Sequence, residues 1–457
     1  MNEEIKRDEQ GRVLFTPEMR KTHTILLPMM LPLHFTLLKE VFRQEGYLAE
    51  LLTNTGPKVV EEGLKYVHND TCYPALLVVG QFIDALNSGQ YDLDRVAVAI
   101  TQTGGGCRAS NYIHLLRKAL EKAGYGNIPV VSLNLAGLER NNGLVITVSL
   151  LRKALSAVVY GDMLMLLNNR VKAYEVHTGD AKVLTEQWIR ELSGQMQRGK
   201  GLNTIALRRN LKHIVEDFAA ILVAFSPKIR VGIVGEIYVK YSELANNDLE
   251  AFLHSQDCEV HVPGLMSFLL YCIYNVIEDH RRYGNSKVAA RAAKAGLRYL
   301  IGRENLIREA LKDYDFFIAP GGFLHLQALT KGIISTGAKM GEGWLLPAEM
   351  MELIEHGYEN IVCAQPFGCL PNHICGKGVI NRIRQQCPQA NIVAVDYDPS
   401  ATRVNQENRI KLMLAVAREN QSQQQAQETE SGPSESAPHS TQTPDLKEEK
   451  KASELSA

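Results

Sequence analysis

The sequence predicts an α/β protein: two Rossmann-like lobes with parallel sheets, a helical insert between them and a disordered C-terminal tail. Three observations carry that expectation. Short apolar runs alternate with helical stretches over residues 22 to about 140, and again after Pro227, the pattern of parallel strands covered by helices on both faces. Between them, "SLLRKALSAVVYGDMLMLLNNRV" and "LRRNLKHIVEDFAAILVAF" repeat apolar residues at helical spacing and carry no comparable strand signal. After Glu419 the chain runs "NQSQQQAQETESGPSESAPHSTQTPDLKEEKKASELSA". With almost no large apolar side chains, that stretch cannot offset the entropy of ordering. The expected segments are a polar N-terminal stretch over 1–20, a first lobe over 21–145, a helical bridge over 146–226, a second lobe over 227–418 and a tail over 419–457.

In the first lobe, "THTILLP", "LAELL", "RVAVAIT" and "IPVVSLN" read as strands, and "HFTLLKEVFRQEGY", "KVVEEGLKYV" and "ALLVVGQFIDALNSG" as helices. In the second, "KIRVGIVG", "CEVHVPG", "DFFIAP", "NIVCAQP" and "NIVAVDYDP" read as strands with helices between them. "HRRYGNSKVAARAAKAGLRYLIGRENLIR" is a basic helical stretch, read as a solvated face.

Composition narrows the function classes. The 457 residues suit about two or three domains. With 45% hydrophobic residues, 22% charged and a net charge of -1, no global field favours nucleic acid or a membrane as partner. The stretch "MNEEIKRDEQGRVLFTPEMR" is polar and mixed in charge, unlike a signal peptide, and the longest apolar run, "FAAILVAF", is too short for a bilayer span. The expected address is cytoplasmic.

Eight cysteines in such a chain are too sparse for a disulfide scaffold. No CxxC pair or zinc-type spacing occurs; the nearest approach is Cys363, Cys369 and Cys375, six apart. Any shared site must draw on distant parts of the chain. Cys258, Cys272 and Cys363 lie in apolar strand or helix contexts and read as structural, while Cys387 before Pro388 is uninformative. Three others share a different context. Cys72 follows Asp70 and Thr71 and precedes Pro74; Cys107 follows Gly104, Gly105 and Gly106; Cys369 follows Pro366 and Gly368 and precedes Pro371. Each stands at or beside an expected helix start, where unpaired N–H groups and the macrodipole favour a thiolate or an anionic group that it holds. Strand-to-helix turns gather at the carboxyl edge of a parallel sheet, so two facing lobes can bring the three together. From the residues alone, a shared iron–sulfur site, a redox dithiol or cysteine nucleophile, and isolated buried cysteines all stay open.

The stretches "NDTCYPALLVVGQ", "TQTGGGCRASNYI", "GEIYVKY", "GEGWLLPAEMMELIEHG" and "PFGCLPNHICGKG", with "IVAVDYDPSATRVNQENRIKLML", resemble the acyl-CoA dehydratase activase-related family, once described only as a domain of unknown function. That family commonly forms the C-terminal part of large activases related to the 2-hydroxyglutaryl-CoA dehydratase system, and it also occurs as a separate chain. The resemblance covers roughly residues 22 to 418. It implies kinship with 2-hydroxyacyl-CoA dehydratase subunits and double-cubane cluster proteins, which are two-lobed α/β proteins holding an iron–sulfur cluster through cysteines on separate loops. On this chain the implied metal ligands are Cys72, Cys107 and Cys369, with Gly105, Gly106, Arg108, Gly368 and His373 beside the cofactor. A 4Fe-4S cluster is favoured, with a double cubane as the alternative. Cys375 is not carried over, because the glycine turn that aims a thiol belongs to Cys369.

The fused relatives begin with an ATPase domain of the acetate-kinase/sugar-kinase/actin type. These residues contain no such module and no GxxxxGK[ST] loop. The expected partners are therefore a separate ATPase activase chain, an acyl-CoA substrate or dehydratase subunits, and a second copy of the chain as a homodimer. The implied function is a cluster protein that receives low-potential electrons and relays or uses them. The alternatives are a dehydratase-like enzyme with substrate on an open iron, or a cluster-free scaffold. Arg108 is a candidate charge partner for an anionic cluster. His373, Asn69, Asp70, Glu236, Glu342 and Asp396 are candidates for hydrogen bonding, proton delivery or capping, and Asp398 before Pro399 reads as a cap.

Overall fold

The computed structural model describes residues 5–430, apart from 69, 103–105, 134–138 and 140–142, and side chains as far as 423. Two parallel sheets organise the chain. The first holds β1 (Thr24–Leu27), β2 (Leu48–Leu51), β3 (Val96–Thr101) and β4 (Val130–Leu133), in the order β2-β1-β3-β4. The second holds β5 (Ile229–Gly235), β6 (Cys258–His261), β7 (Asn360–Pro366) and β8 (Asn391–Tyr397), in the order β6-β5-β7-β8. The two lobes therefore share one topology. Both β3 and β7 are buried along nearly their whole length, as strands covered on both faces must be. Ile25, Ala97, Ala99 and Val131 pack with Phe15 and Tyr47 in the first lobe. Val234, Ile361, Cys363 and Ile392 pack with Met350 and Leu353 in the second.

In each sheet the chain leaves the central strand first to one side and then to the other. That reversal opens a crevice beyond the carboxyl ends of β1 and β3, and likewise of β5 and β7. Both lobes and the helices between them belong to one compact unit ending at Leu414; the chain from Ala415 is a second unit.

The bridge consists of the helices Val148–Lys172, Asp180–Gln197 and Thr204–Ala219. The first and third begin with side-chain caps: Thr147 Oγ1 accepts from Leu150 N at 3.0 Å and Asn203 Oδ1 from Ala206 N at 2.9 Å. Near the middle of the first helix, Asp162 ties the halves together. One of its oxygens meets His34 Nε2 at 2.7 Å, on the first-lobe helix Pro32–Gln44. The carboxylate also accepts from Leu265 N at 2.7 Å and Met266 N at 2.9 Å, at the start of the second-lobe helix Leu265–Tyr283. The close approach needs small residues: a Cβ on Gly161 would lie 2.4 Å from the His34 ring, and one on Gly264 would lie 2.7 Å from the Asp162 carboxyl carbon.

Three expectations need correction. "DFFIAP" forms no strand; the Phe316 carbonyl accepts from Arg170 Nε at 2.8 Å, and its ring packs 5.3 Å from that of Phe225. A side chain and an aromatic cluster have taken what a neighbouring strand would have used, so the second lobe has four strands among the described residues. Cys272 is exposed on its helix rather than in the core, whereas Cys258 and Cys363 are buried. The last helix, Arg403–Glu430, also runs past Glu419; the remainder of the expected tail lies outside the described residues. The basic stretch is two helices, parted by left-handed Gly284, and the start of the second is largely exposed. Among the described residues, no helix is long and apolar enough to cross a membrane.

Candidate functional site

Cys107 and Cys369 follow equivalent strands of the two lobes. After β3 the chain reaches Cys107, the N-cap of a short 3-10 turn, Arg108–Asn111, that leads into the helix Tyr112–Lys122. After β7 it reaches Cys369, the N-cap of the helix Leu370–Cys375, with a proline in the first turn. Cys72 is the N-cap of the helix Tyr73–Asn87, again with proline in the first turn. The loops are held against one another by hydrogen bonds to backbone carbonyls. Tyr73 N donates to the Phe367 carbonyl across the lobes at 3.0 Å, and Arg108 Nη1 donates to the Asp70 carbonyl at 2.7 Å. Gly368 has φ +75°, and a Cβ there would lie 3.1 Å from Cys72 Cα. Its replacement by alanine combines a left-handed conformation, costing about 1–2 kcal/mol, with a wedge between the two thiol loops. Gly368→Ala is thus expected to lower the melting temperature and raise the alkylation rate of Cys72; no change in either would show that the close approach is dispensable.

The outcome is one cavity of about 520 Å³ whose wall includes Cys72, Cys107 and Cys369. Gly106, Arg108, Gly368 and His373 also line it, so these candidates share the site, while Gly105 and Asn69 lie outside the described residues. Arg108 spends at least one N–H on the Asp70 carbonyl, which makes it a clip between the Cys107 and Cys72 loops as well as a nearby cation. His373 N bonds the Cys369 carbonyl at 3.1 Å within its short helix.

The expectation that helix starts hold these cysteines as thiolates is corrected. Burial pushes the Cys72 thiol up to about 11, against the lowering effect of its 2.6 Å hydrogen bond with Tyr112 Oη; the Glu236 carboxylate adds to the rise. Burial also raises Cys107 and, strongly, Cys369, with Glu236 and Glu342 acting in the same direction on both. The field of a helix start loses to desolvation at all three, even for Cys72 at the head of the helix Tyr73–Asn87. A group bound through these sulfurs must displace their protons, so its uptake should release acid. Tyr112→Phe removes the side-chain hydrogen bond that, with a weaker one from the Ala75 backbone, favours the Cys72 thiolate. It is expected to slow alkylation of Cys72 in mildly alkaline buffer while leaving Cys107 unchanged; equal rates in both proteins would exclude that role.

Glu236 and Glu342 are caps and cavity neighbours at once. Glu236 follows β5, lines the cavity and accepts from Val239 N at 2.9 Å, capping the short helix Ile237–Tyr241. Glu342 stands between Gly341 and Gly343, both at positive φ; the turn they allow aims its carboxylate at Ile237 N, 3.0 Å away. Just beyond, Lys240 and Glu349 form a buried ion pair at 3.2 Å. Asp398 closes the turn before the last helix rather than capping that helix, which starts at Arg403: its carboxylate accepts from Ser400 N at 2.7 Å and Ala401 N at 2.9 Å. Asp396 faces Arg409 at 3.5 Å and Lys377 at 3.7 Å instead.

Sequence reasoning missed Tyr112, Met340 and Cys375, all on the cavity wall. Tyr112 and Met340 carried no local signal. Cys375 was set aside for lacking its own glycine turn, yet the helix it ends is only 6 residues long. At 1.5 Å per residue, Cys375 is about 9 Å along the axis from Cys369, so both ends can touch one cavity.

Among the described residues, no three His, Cys, Asp or Glu side chains converge tightly enough for a single metal ion. The arrangement is of another kind: three soft sulfur donors spread around a cavity, with backbone N–H groups of helix starts nearby. A polynuclear cluster attaches its thiolates to different irons and separates them by its own core, and this donor set fits such a group. Fold and site together define a class, a pair of doubly wound lobes facing one another across a thiol-lined cavity. No protein-family description matches the chain, and neither does any curated protein.

Proposed function

We propose that the protein holds an iron–sulfur cluster, a 4Fe-4S cubane, on Cys72, Cys107 and Cys369. In this reading it receives low-potential electrons from a separate ATP-hydrolysing activase and relays or uses them in the 2-hydroxyacyl-CoA dehydratase system, in the reducing cytoplasm. The supporting observation is the meeting of three N-cap cysteines, from both lobes, on one cavity. The electron source and the dehydratase setting rest on the resemblance of the motifs.

When bound, such a cluster supplies one-electron chemistry at low potential. The chain's own groups do the rest. Three sulfurs fix the position, Tyr112 Oη donates to the Cys72 thiolate, and the Arg108–Asp70 and Tyr73–Phe367 hydrogen bonds keep the loops at a fixed separation. Burial of Cys72 and Cys369 keeps water from the sulfurs. A second reading, an acyl-CoA dehydratase-like enzyme, draws on the size of the cavity and on Arg108, His373 and Glu236 in its wall, which can bind and protonate a small substrate group.

Iron and acid-labile sulfide analysis of anaerobically purified or reconstituted protein tests the proposal. About four of each per chain are expected. Absence of both after reconstitution would overturn it in favour of a cluster-free scaffold.

A further inference from the structure

We propose that Glu236 and Glu342 form a proton-carrying pair for the thiol cavity, holding one proton between them at neutral pH and taking up a second when an electron arrives. The inference rests on the reading of the cavity as an electron-accepting site.

Geometry brings the two carboxyls together. They accept from N–H groups two residues apart in one turn at the carboxyl end of β5, Glu342 from Ile237 N at 3.0 Å and Glu236 from Val239 N at 2.9 Å. Two carboxylates that share a buried site cannot both ionise freely. The nearest cation, Lys240, is already matched by Glu349, with both oxygens at 3.2 Å. The other titratable groups facing the pair are Tyr238 on the capped helix, Tyr112, Tyr271 and Cys272 on the helix Leu265–Tyr283, and the cavity thiols. Glu236 acts electrostatically on Cys72, Cys107 and Cys369 alike, and Glu342 on Cys107, Cys369 and Cys375. None of these neighbours brings compensating positive charge. Burial, with Glu342 adding to it, accordingly raises Glu236 to about 8, and burial raises Glu342 as well.

The step balances simply. One electron comes from a low-potential one-electron donor and one proton from solvent; a carboxylate of the pair gains an O–H bond, and no protein bond breaks. The charge of the region is unchanged, which lowers the cost of placing an electron in a poorly solvated cavity. A sequence cannot show this pairing, because more than a hundred residues separate the two positions.

The test is the midpoint potential of the reconstituted protein as a function of pH, for the wild type, for Glu236→Gln and for the double variant with Glu342→Gln. Glutamine keeps a carbonyl oxygen for each backbone N–H, so the turn survives. A one-electron, one-proton couple loses about 59 mV per pH unit, the tenfold change in proton concentration converted for one electron. The wild type is expected to show that slope through neutral pH and the double variant to be flat, with Glu236→Asp restoring part of it. A flat wild type, or a double variant that keeps the slope, would overturn the proposal. A cluster-free arm separates this outcome from failure of the cluster reading. In protein without iron, Glu236→Gln removes a negative charge facing the thiols and is expected to move alkylation of Cys72 and Cys369 to lower pH. An unmoved profile would show that the pair does not face the cavity, whatever the iron content.

Discussion

Serine at Cys72, Cys107 or Cys369, one at a time, is expected to strip anaerobically prepared protein of nearly all its iron and sulfide, while serine at Cys272 leaves both in place. The contrast isolates position from chemistry. Cys272 lies exposed on the helix Leu265–Tyr283, whereas the other three are N-caps around one cavity. Serine preserves size and can still cap a helix, so a folding defect is not built into the substitution; what it removes is the soft thiolate donor that iron–sulfur clusters require. Cys375→Ser is expected to retain the iron, and its loss there would mean a four-thiol site. If all three cavity variants keep iron and sulfide at wild-type levels, the ligand set is wrong.

Asp162→Ala is expected to destabilise the fold by about 3–5 kcal/mol, because it removes the shared acceptor of three buried hydrogen bonds and each donor left unmade costs about 1–3 kcal/mol. The deletion leaves His34 without its 2.7 Å partner and orphans Leu265 N and Met266 N at the start of a 19-residue helix. Unmade hydrogen bonds at buried donors cost more than their formation gains. His34→Ala should cost less, since it leaves the carboxylate bonded to both backbone donors. Chemical denaturation of the two variants and their double mutant measures the coupling. A loss below about 1 kcal/mol for Asp162→Ala would show that the lobes are joined elsewhere.

Much of this architecture was legible because strand and helix periodicities differ. The Val- and Ile-rich runs that became β3, β5, β7 and β8 could be read directly, and so could the helical bridge. "DFFIAP" misled because no local pattern reveals that Arg170, far away in the chain, takes the Phe316 carbonyl. Cys272 misled because an apolar run such as "FLLYCIYNVI" does not say which side of its helix meets the core. The cavity thiols were found from the glycines, prolines and capping residues around them, which constrain the backbone locally. Tyr112 and the Glu236–Glu342 pairing could not be found that way, being products of the crossovers between strands. Thiol protonation was misjudged for the same reason: burial is a tertiary property, and it outweighed the local helix field.

Of the three proposed cluster ligands, two belong to the half built on β3 and one to the half built on β7. Whatever joins those sulfurs is therefore also a mechanical brace across the molecule. Its stabilising effect follows mass action, and stripping it with a chelator would be felt as freer breathing between the halves, measurable by amide exchange in segments that contain no cysteine.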